Sequence, residues 1–206
     1  MTVRVAAIDP SMGGTALAVL EAVAVGPPKL LLLQRIASKP APTLRGRIER
    51  FAGIANRAWE LLAEHQPELV FIEGYSFASQ HGGEKLGELG GILRLRLLVE
   101  APMFEVPPAM LKKWATGKGN ANKATVVSAV SQRHGMLLSN DDEADALALA
   151  HLAMMVREPT AAHPYPKDQR LVADKLRPEV EASIRDWWQT GIPEVGLAPK
   201  RRRGRG

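Results

Sequence analysis

Apolar positions change period several times along the chain. Val3 to Ile8 is a short, mostly apolar run with β-branched residues that ends at Asp9-Pro10, the pattern of a buried strand. Gly13-Gly14 marks a turn, Thr15 to Leu20 a second strand, and Lys29 to Ile36 a third after the Gly26-Pro27-Pro28 turn. These three predict an antiparallel meander. The period then lengthens. Leu44, Ile48, Phe51, Ala55, Ala58 and Leu62 fall three or four apart and mark one face of a long helix. Leu69 to Ile72 predicts a buried strand, and Phe104 to Val106 another, stopped by Pro107-Pro108. Between them runs a helix with Leu86, Leu89, Leu93 and Leu97, which also holds Gly87, Gly90 and Gly91. Glycine weakens a helix by roughly 1 kcal/mol relative to alanine. Three of them predict that another backbone packs closely there.

Further helices are expected over 109–114, 122–134 and 142–156. The prolines at 159, 164 and 166 break the chain, and a last helix is expected from Pro178 to Gln189, with Trp187 and Trp188 on it. Five strands and several helices in this order predict an α/β fold, a mixed sheet flanked by helices. Residues 1–157 form the expected core domain, and 158–206 a C-terminal extension.

Charge sharpens the picture through its distribution. The net formal charge is +5, and Lys200, Arg201, Arg202, Arg203 and Arg205 supply all of it. The rest of the chain balances. Inside it, no acid occurs from Val106 to Asn140, a stretch that carries Lys112, Lys113, Lys118, Lys123 and Arg133. That polarity fits a polyanionic partner, nucleic acid above all; a solvated face with a basic tail is the plainer reading. The chain has no cysteine, which excludes disulfides and thiolate metal sites and fits a cytosolic protein. No apolar run is long enough to span a membrane, and the first residues lack a secretory layout.

Three groups of acids stand where chemistry can use them. Asp9 closes the first strand, Glu73 closes the fourth, and Asp142 and Asp145 lie three apart on one face of the last core helix. In α/β sheets, sites form at the carboxyl ends of strands. Each acid also has an ordinary explanation: aspartate favours turns, and acids in a helix's first turn answer the macrodipole, with Ser139 or Asn140 as the cap. Gathered in one place, however, carboxylates repel unless a cation neutralises them. With no His-Cys cluster beside them, they point to Mg²⁺ and phosphoryl chemistry with two ions about 4 Å apart.

At these residues the sequence resembles the RuvC family of Holliday junction resolvases. The resemblance rests on Ala7-Ile8-Asp9-Pro10-Ser11, Phe71-Ile72-Glu73-Gly74-Tyr75, Gly87-Glu88-Leu89-Gly90-Gly91, Val106-Pro107-Pro108 with Asn122-Lys123, and Asp142-Glu143-Ala144-Asp145-Ala146-Leu147-Ala148. The second is similar to versions in bacteriophage relatives. The likeness covers roughly residues 1–157. It implies an RNase H-like fold and a homodimer that resolves four-way DNA junctions in recombination and repair. It also implies a site of action in the cytoplasm of a bacterial or phage-infected cell. It implies Asp9, Glu73, Asp142 and Asp145 as ligands for two Mg²⁺ ions, with Mn²⁺ as substitute and Asp141 as the alternative to Asp142. Lys123 would stand near the scissile phosphate, and Lys112, Lys113 and Lys118 would hold backbone phosphates. In the loop after Glu73, Tyr75 and Phe77 are candidates to stack on an unpaired base. For Phe77 the alternative is a plug for the core. A nuclease of the same fold acting on flaps, forks or RNA shares the acidic set, and a non-catalytic binding module has no use for it. An actin-like ATPase also opens on strand, Asp and glycine turn, but is larger.

Overall fold

The computed structural model describes residues 2–75, 83–158 and 165–191. Five strands form one mixed sheet: β1 (Arg4–Asp9), β2 (Gly14–Glu21), β3 (Lys29–Ala37), β4 (Leu69–Glu73) and β5 (Met103–Val106). Their spatial order is β3-β2-β1-β4-β5. The first three strands are the antiparallel meander that the turns predicted, and β4 and β5 run parallel to β1. The helices are α1 (Leu44–His65), α2 (Gly83–Leu97), α3 (Pro108–Thr116), α4 (Lys123–His134), α5 (Asp141–Arg157) and α6 (Lys167–Thr190).

Strand alternation divides the core into two layers. Ala6, Ile8, Leu17, Val19, Val70 and Ile72 face α1 and α2. Val5, Ala7, Ala16, Ala18, Leu69 and Phe71 face the other way, onto α5 with α3, α4 and α6 around it. Side chains alternate with a period of two. Asp9 is therefore in phase with Val5 and Ala7, and Glu73 with Leu69 and Phe71. Both acids fall on the face that α5 covers. The parallel register sets Ile8 beside Ile72, so the two acids follow side by side at neighbouring strand ends.

Helix ends follow local chemistry. Thr43 caps α1 by accepting from the Gly46 amide at 3.1 Å, and Asn122 and Asn140 cap α4 and α5 through the amides of Thr125 and Glu143. Asn140 is thus the cap of α5, and Ser139 instead donates its hydroxyl to Glu143. In such caps a side-chain oxygen satisfies an amide that the helix leaves unpaired.

The last helix departs from expectation. It begins at Lys167, eleven residues before Pro178, which lies inside it. Proline favours the first turn of a helix, yet Val172, Ala173 and Leu176 ahead of it already continue the buried stripe of Val180 and Trp187. Burial of that stripe against α5 and α3 outweighs the amide lost at Pro178. The helix also lines the outer edge of the sheet: Ser183 donates to the Met103 carbonyl of β5 at 3.2 Å, and Trp187 Nε1 donates to the Leu98 carbonyl at 2.8 Å. Trp187 is buried while Trp188 stays exposed. The basic tail 200–206 lies outside the described residues.

Trp187→Ala should therefore lower folding stability by ~3 kcal/mol, the scale of truncating a buried tryptophan. Urea unfolding followed by circular dichroism measures it. Trp188→Ala should cost less than ~1 kcal/mol, and equal losses for the two would contradict this packing.

Candidate active site

The parallel strand ends deliver Asp9 and Glu73 to one spot, and α5 lays Asp145 across them. Ligand oxygens of Asp9, Glu73 and Asp145 all lie within 4.8 Å of one another. Oxygens around one Mg²⁺ sit about 2.1 Å from it. The trio thus needs only small side-chain rotations to hold such an ion, and its all-oxygen donor set suits that hard cation.

The electrostatics of the trio agree with this. Asp9 is 5% exposed, and burial pushes its carboxyl well up, with Glu73 reinforcing the shift. The two share a hydrogen bond, which raises Asp9 and lowers Glu73. Glu73 is nonetheless raised, again by burial first, while Lys112 and Lys123 oppose the rise. Asp145 is pushed up to about 7, mainly by burial and then by Glu73 and Asp141. Burial and mutual repulsion raise all three carboxyls, and a divalent cation held by them would offset both effects.

The other acids of α5 have different partners. Asp142 is buried at 8% exposure, one turn before Asp145, and its Oδ2 accepts from Arg35 Nε at 2.9 Å. Asp141 pairs with Lys123, which holds its carboxyl below the usual range. Neither acid is in the close trio. Arg35 is the residue that the sequence reading missed. It sits on β3 directly across from Ala16, which is itself across from Asp9. One cross-strand row therefore runs Asp9, Ala16, Arg35. A lone arginine in the apolar run Leu30-Leu31-Leu32-Leu33-Gln34-Arg35-Ile36 was the available signal, and only the register gives it meaning.

The basic candidates separate by position. Lys112 on α3 is half-buried, and its charge acts on Glu73 and Asp145. Lys123, first residue of α4, acts on the same two acids. Lys113 and Lys118 are exposed.

Tyr75 is engaged within the protein. Its hydroxyl accepts from Arg94 Nη1 at 2.5 Å, and the Arg94 guanidinium lies 4.8 Å from its ring centroid. A Cβ on Gly90 would meet the Tyr75 hydroxyl at 1.4 Å. The helix glycine expected to admit a backbone thus admits a tyrosine side chain, while Gly87 and Gly91 have open space beside them. Arg94 thus holds Tyr75 through both its hydroxyl and its ring. Phe77 lies outside the described residues.

A sheet of order 3-2-1-4-5 with acids at the ends of β1 and β4 and on the helix that closes over them defines an RNase H-like nuclease fold. The comparisons give the family. The sequence profile of the crossover junction endodeoxyribonuclease RuvC family matches residues 5–152, and the chain belongs to that family. A RuvC from a Synechococcus strain is 33% identical over 109 residues, which covers 52% of this chain and 68% of that protein. Thermus thermophilus RuvC superposes with a TM-score of 0.64 at 28% identity, over 77% of this chain and 98% of that one. The same protein in complex with a Holliday junction gives 0.60 at 27%, over the same shares. The family match ends before α6. Among the described residues, no helix is long and apolar enough to cross a membrane.

A pH test follows from Asp145. A carboxyl with a raised pKa binds an extra proton in the folded state, so its stabilisation is full below the unfolded value and is lost as pH rises through about 7. In excess chelator, the melting temperature of the wild-type chain should fall between about pH 5 and pH 8. Asp145→Asn should flatten that fall and melt at least ~2 °C higher than wild type at pH 8. Calorimetry across pH reads both, and parallel curves would mean that Asp145 ionises normally.

Proposed function

We propose that this chain is a divalent-cation-dependent endonuclease that resolves four-way DNA junctions in recombination and repair. The observation that carries the proposal is the convergence of Asp9, Glu73 and Asp145 at the end of a parallel strand pair, in a chain whose basic segment comes to the same place. A phosphate binder without chemistry gains nothing from three clustered acids that repel its ligand.

Asp9, Glu73 and Asp145 would hold the first cation. Asp142 stands one helical turn away as ligand for a second, and Asp141 is spoken for by Lys123. The donor set fits Mg²⁺, with Mn²⁺ as substitute. When bound, such ions lower the pKa of a water and stabilise the leaving oxygen in an in-line displacement that yields a 5′-phosphate and a 3′-hydroxyl. The chain's own residues position the strand. Lys112 and Lys123 flank the acids and offset negative charge that develops on the phosphate. Lys113 and Lys118, exposed beside them, take the neighbouring phosphates. Tyr75, held by Arg94 and by the notch at Gly90, and Phe77, two positions further on, are the aromatics that would meet an unpaired base.

Symmetric cutting needs two such sites. The exposed side of α2 offers a surface for a second copy: Gly87, Gly91 and Leu95 recur every four residues along it, and Leu95 is 46% exposed. The compartment would be the bacterial cytoplasm, where junctions arise.

The test is cleavage in Mg²⁺ of a labelled four-way junction beside flap, fork, linear duplex and RNA–DNA hybrid. Paired symmetric nicks on the junction are expected. Asp9→Asn should lower cleavage by at least ~10³-fold while junction binding in a gel-shift assay changes by less than about threefold, since it removes a cation ligand and no phosphate contact. Degradation of the hybrid alone would sink the proposal, as would normal cutting by Asp9→Asn.

A further inference from the structure

Four carboxylates approach the site, and the fourth already has a counterion. Asp142 shares the inward face of α5 with Asp145, is close enough for its charge to act on Asp9 and Glu73, and is buried. Its Oδ2 is nevertheless taken by Arg35. That arginine has a built seat. A Cβ on Gly14 would lie 2.4 Å from Arg35 Cζ, 2.5 Å from its Nε and 2.6 Å from its Nη2, and one on Gly13 would lie 3.4 Å from Nη2. The glycine pair that ends the first turn is thus the floor on which the guanidinium lies. Ala16, the small residue between Asp9 and Arg35 in the cross-strand row, lies beneath the same side chain's path. The seat and the ion pair are separate observations, and both place a cation beside the acids from the sheet's far edge.

We infer that Arg35 is a positioning residue that withholds Asp142 from the cation set until a strand phosphate draws its guanidinium away. The inference rests on the reading of the trio as a metal site and adds to it a coupling between substrate and cation. The physical reasoning is competition. A guanidinium on Oδ2 offsets the Asp142 charge and fixes the carboxylate's orientation, so a divalent cation must compete with it for that group. A guanidinium has five N–H donors in a planar fork and binds phosphate oxygens in bidentate fashion. The Arg35 side chain is 31% exposed, so a phosphate can reach it, whereas Asp142's side chain is 11% exposed and turns inward. Without DNA, three acids are open to one ion. With a phosphate on Arg35, the fourth is freed for a second ion. The chain would then hold its full cation complement only when a strand lies in the site.

The test is Mn²⁺ titration of the full chain without DNA, followed by electron paramagnetic resonance of the free ion. Wild type should bind one Mn²⁺ per chain tightly and a second much more weakly. Arg35→Gln should strengthen the second site about tenfold or more and leave the first nearly unchanged. Arg35→Lys, which keeps the charge but loses the Nε geometry, should fall between, and serves if the glutamine variant does not fold. Adding Asp142→Asn to Arg35→Gln should erase the gain. Equal second-site affinity in wild type and both Arg35 variants would overturn this inference alone. Absence of Mn²⁺ binding to every form would overturn the metal-site reading and this inference together.

Discussion

Two acids at the ends of adjacent parallel strands repel each other, and much of this molecule is arranged around that repulsion. The β1–β4 register is set by apolar alternation on both faces of the sheet, so Asp9 and Glu73 cannot move apart without shifting Val5, Ala7, Leu69 and Phe71 out of the core. Helix α5 then brings a third acid onto the pair. It is buried along nearly its whole length, through Ala144, Ala146, Leu147, Ala148, Leu149 and Ala150, and its small side chains let it lie close on the sheet. Burial pushes the carboxyls of Asp9 and Asp145 up, that of Asp145 to about 7, and Asp9 bonds to Glu73. Burial is thus the cause both of the poised chemistry and of its cost to stability.

The cations of the protein itself answer the acids that remain. Lys123 takes Asp141, and Arg35 takes Asp142. The first of these pairs is largely exposed and, as a surface pair, contributes little to stability. The second is more enclosed, and loss of one member would leave the other buried without its partner. This ordering explains why α5 carries three consecutive acidic residues in its first turn without disruption. Each of Asp141 and Asp142 has its own counterion, Glu143 accepts from the Ser139 hydroxyl, and the macrodipole favours all three.

Much of this was legible in the sequence. Five strands and the two strand-end acids follow from short apolar runs and what stops them, whereas the parallel pairing of β1 with β4 emerges from the structure. Helices were found to within a few residues wherever the apolar period was long enough. The failures have a common physical origin: they concern contacts between elements. The glycines of α2 announced a close approach but not that Tyr75 makes it. Pro178 suggested a boundary, because local sequence does not reveal how much apolar surface α5 and α3 leave for α6 to cover. Spacing placed Asp142 and Asp145 on one face, and it does not tell which of the two meets the strand ends and which meets an arginine more than a hundred positions away.

Arg35 shows why that last distinction depends on register. Its effect arises from three pairings in succession: Asp9 opposite Ala16, Ala16 opposite Arg35, and the Gly13-Gly14 turn that leaves a seat free of side chains. A slip of one residue in β3 would turn Arg35 to the face of α1 and leave Asp142 without a counterion. The bulge in the β2–β3 pairing lies beyond Val19, toward the opposite end of the strands, so the row at the site is regular. The meander that is easiest to read as mere scaffold therefore does two things at once. It carries Asp9 on β1, the central strand of the sheet, and from its edge strand supplies the arginine that pairs with Asp142.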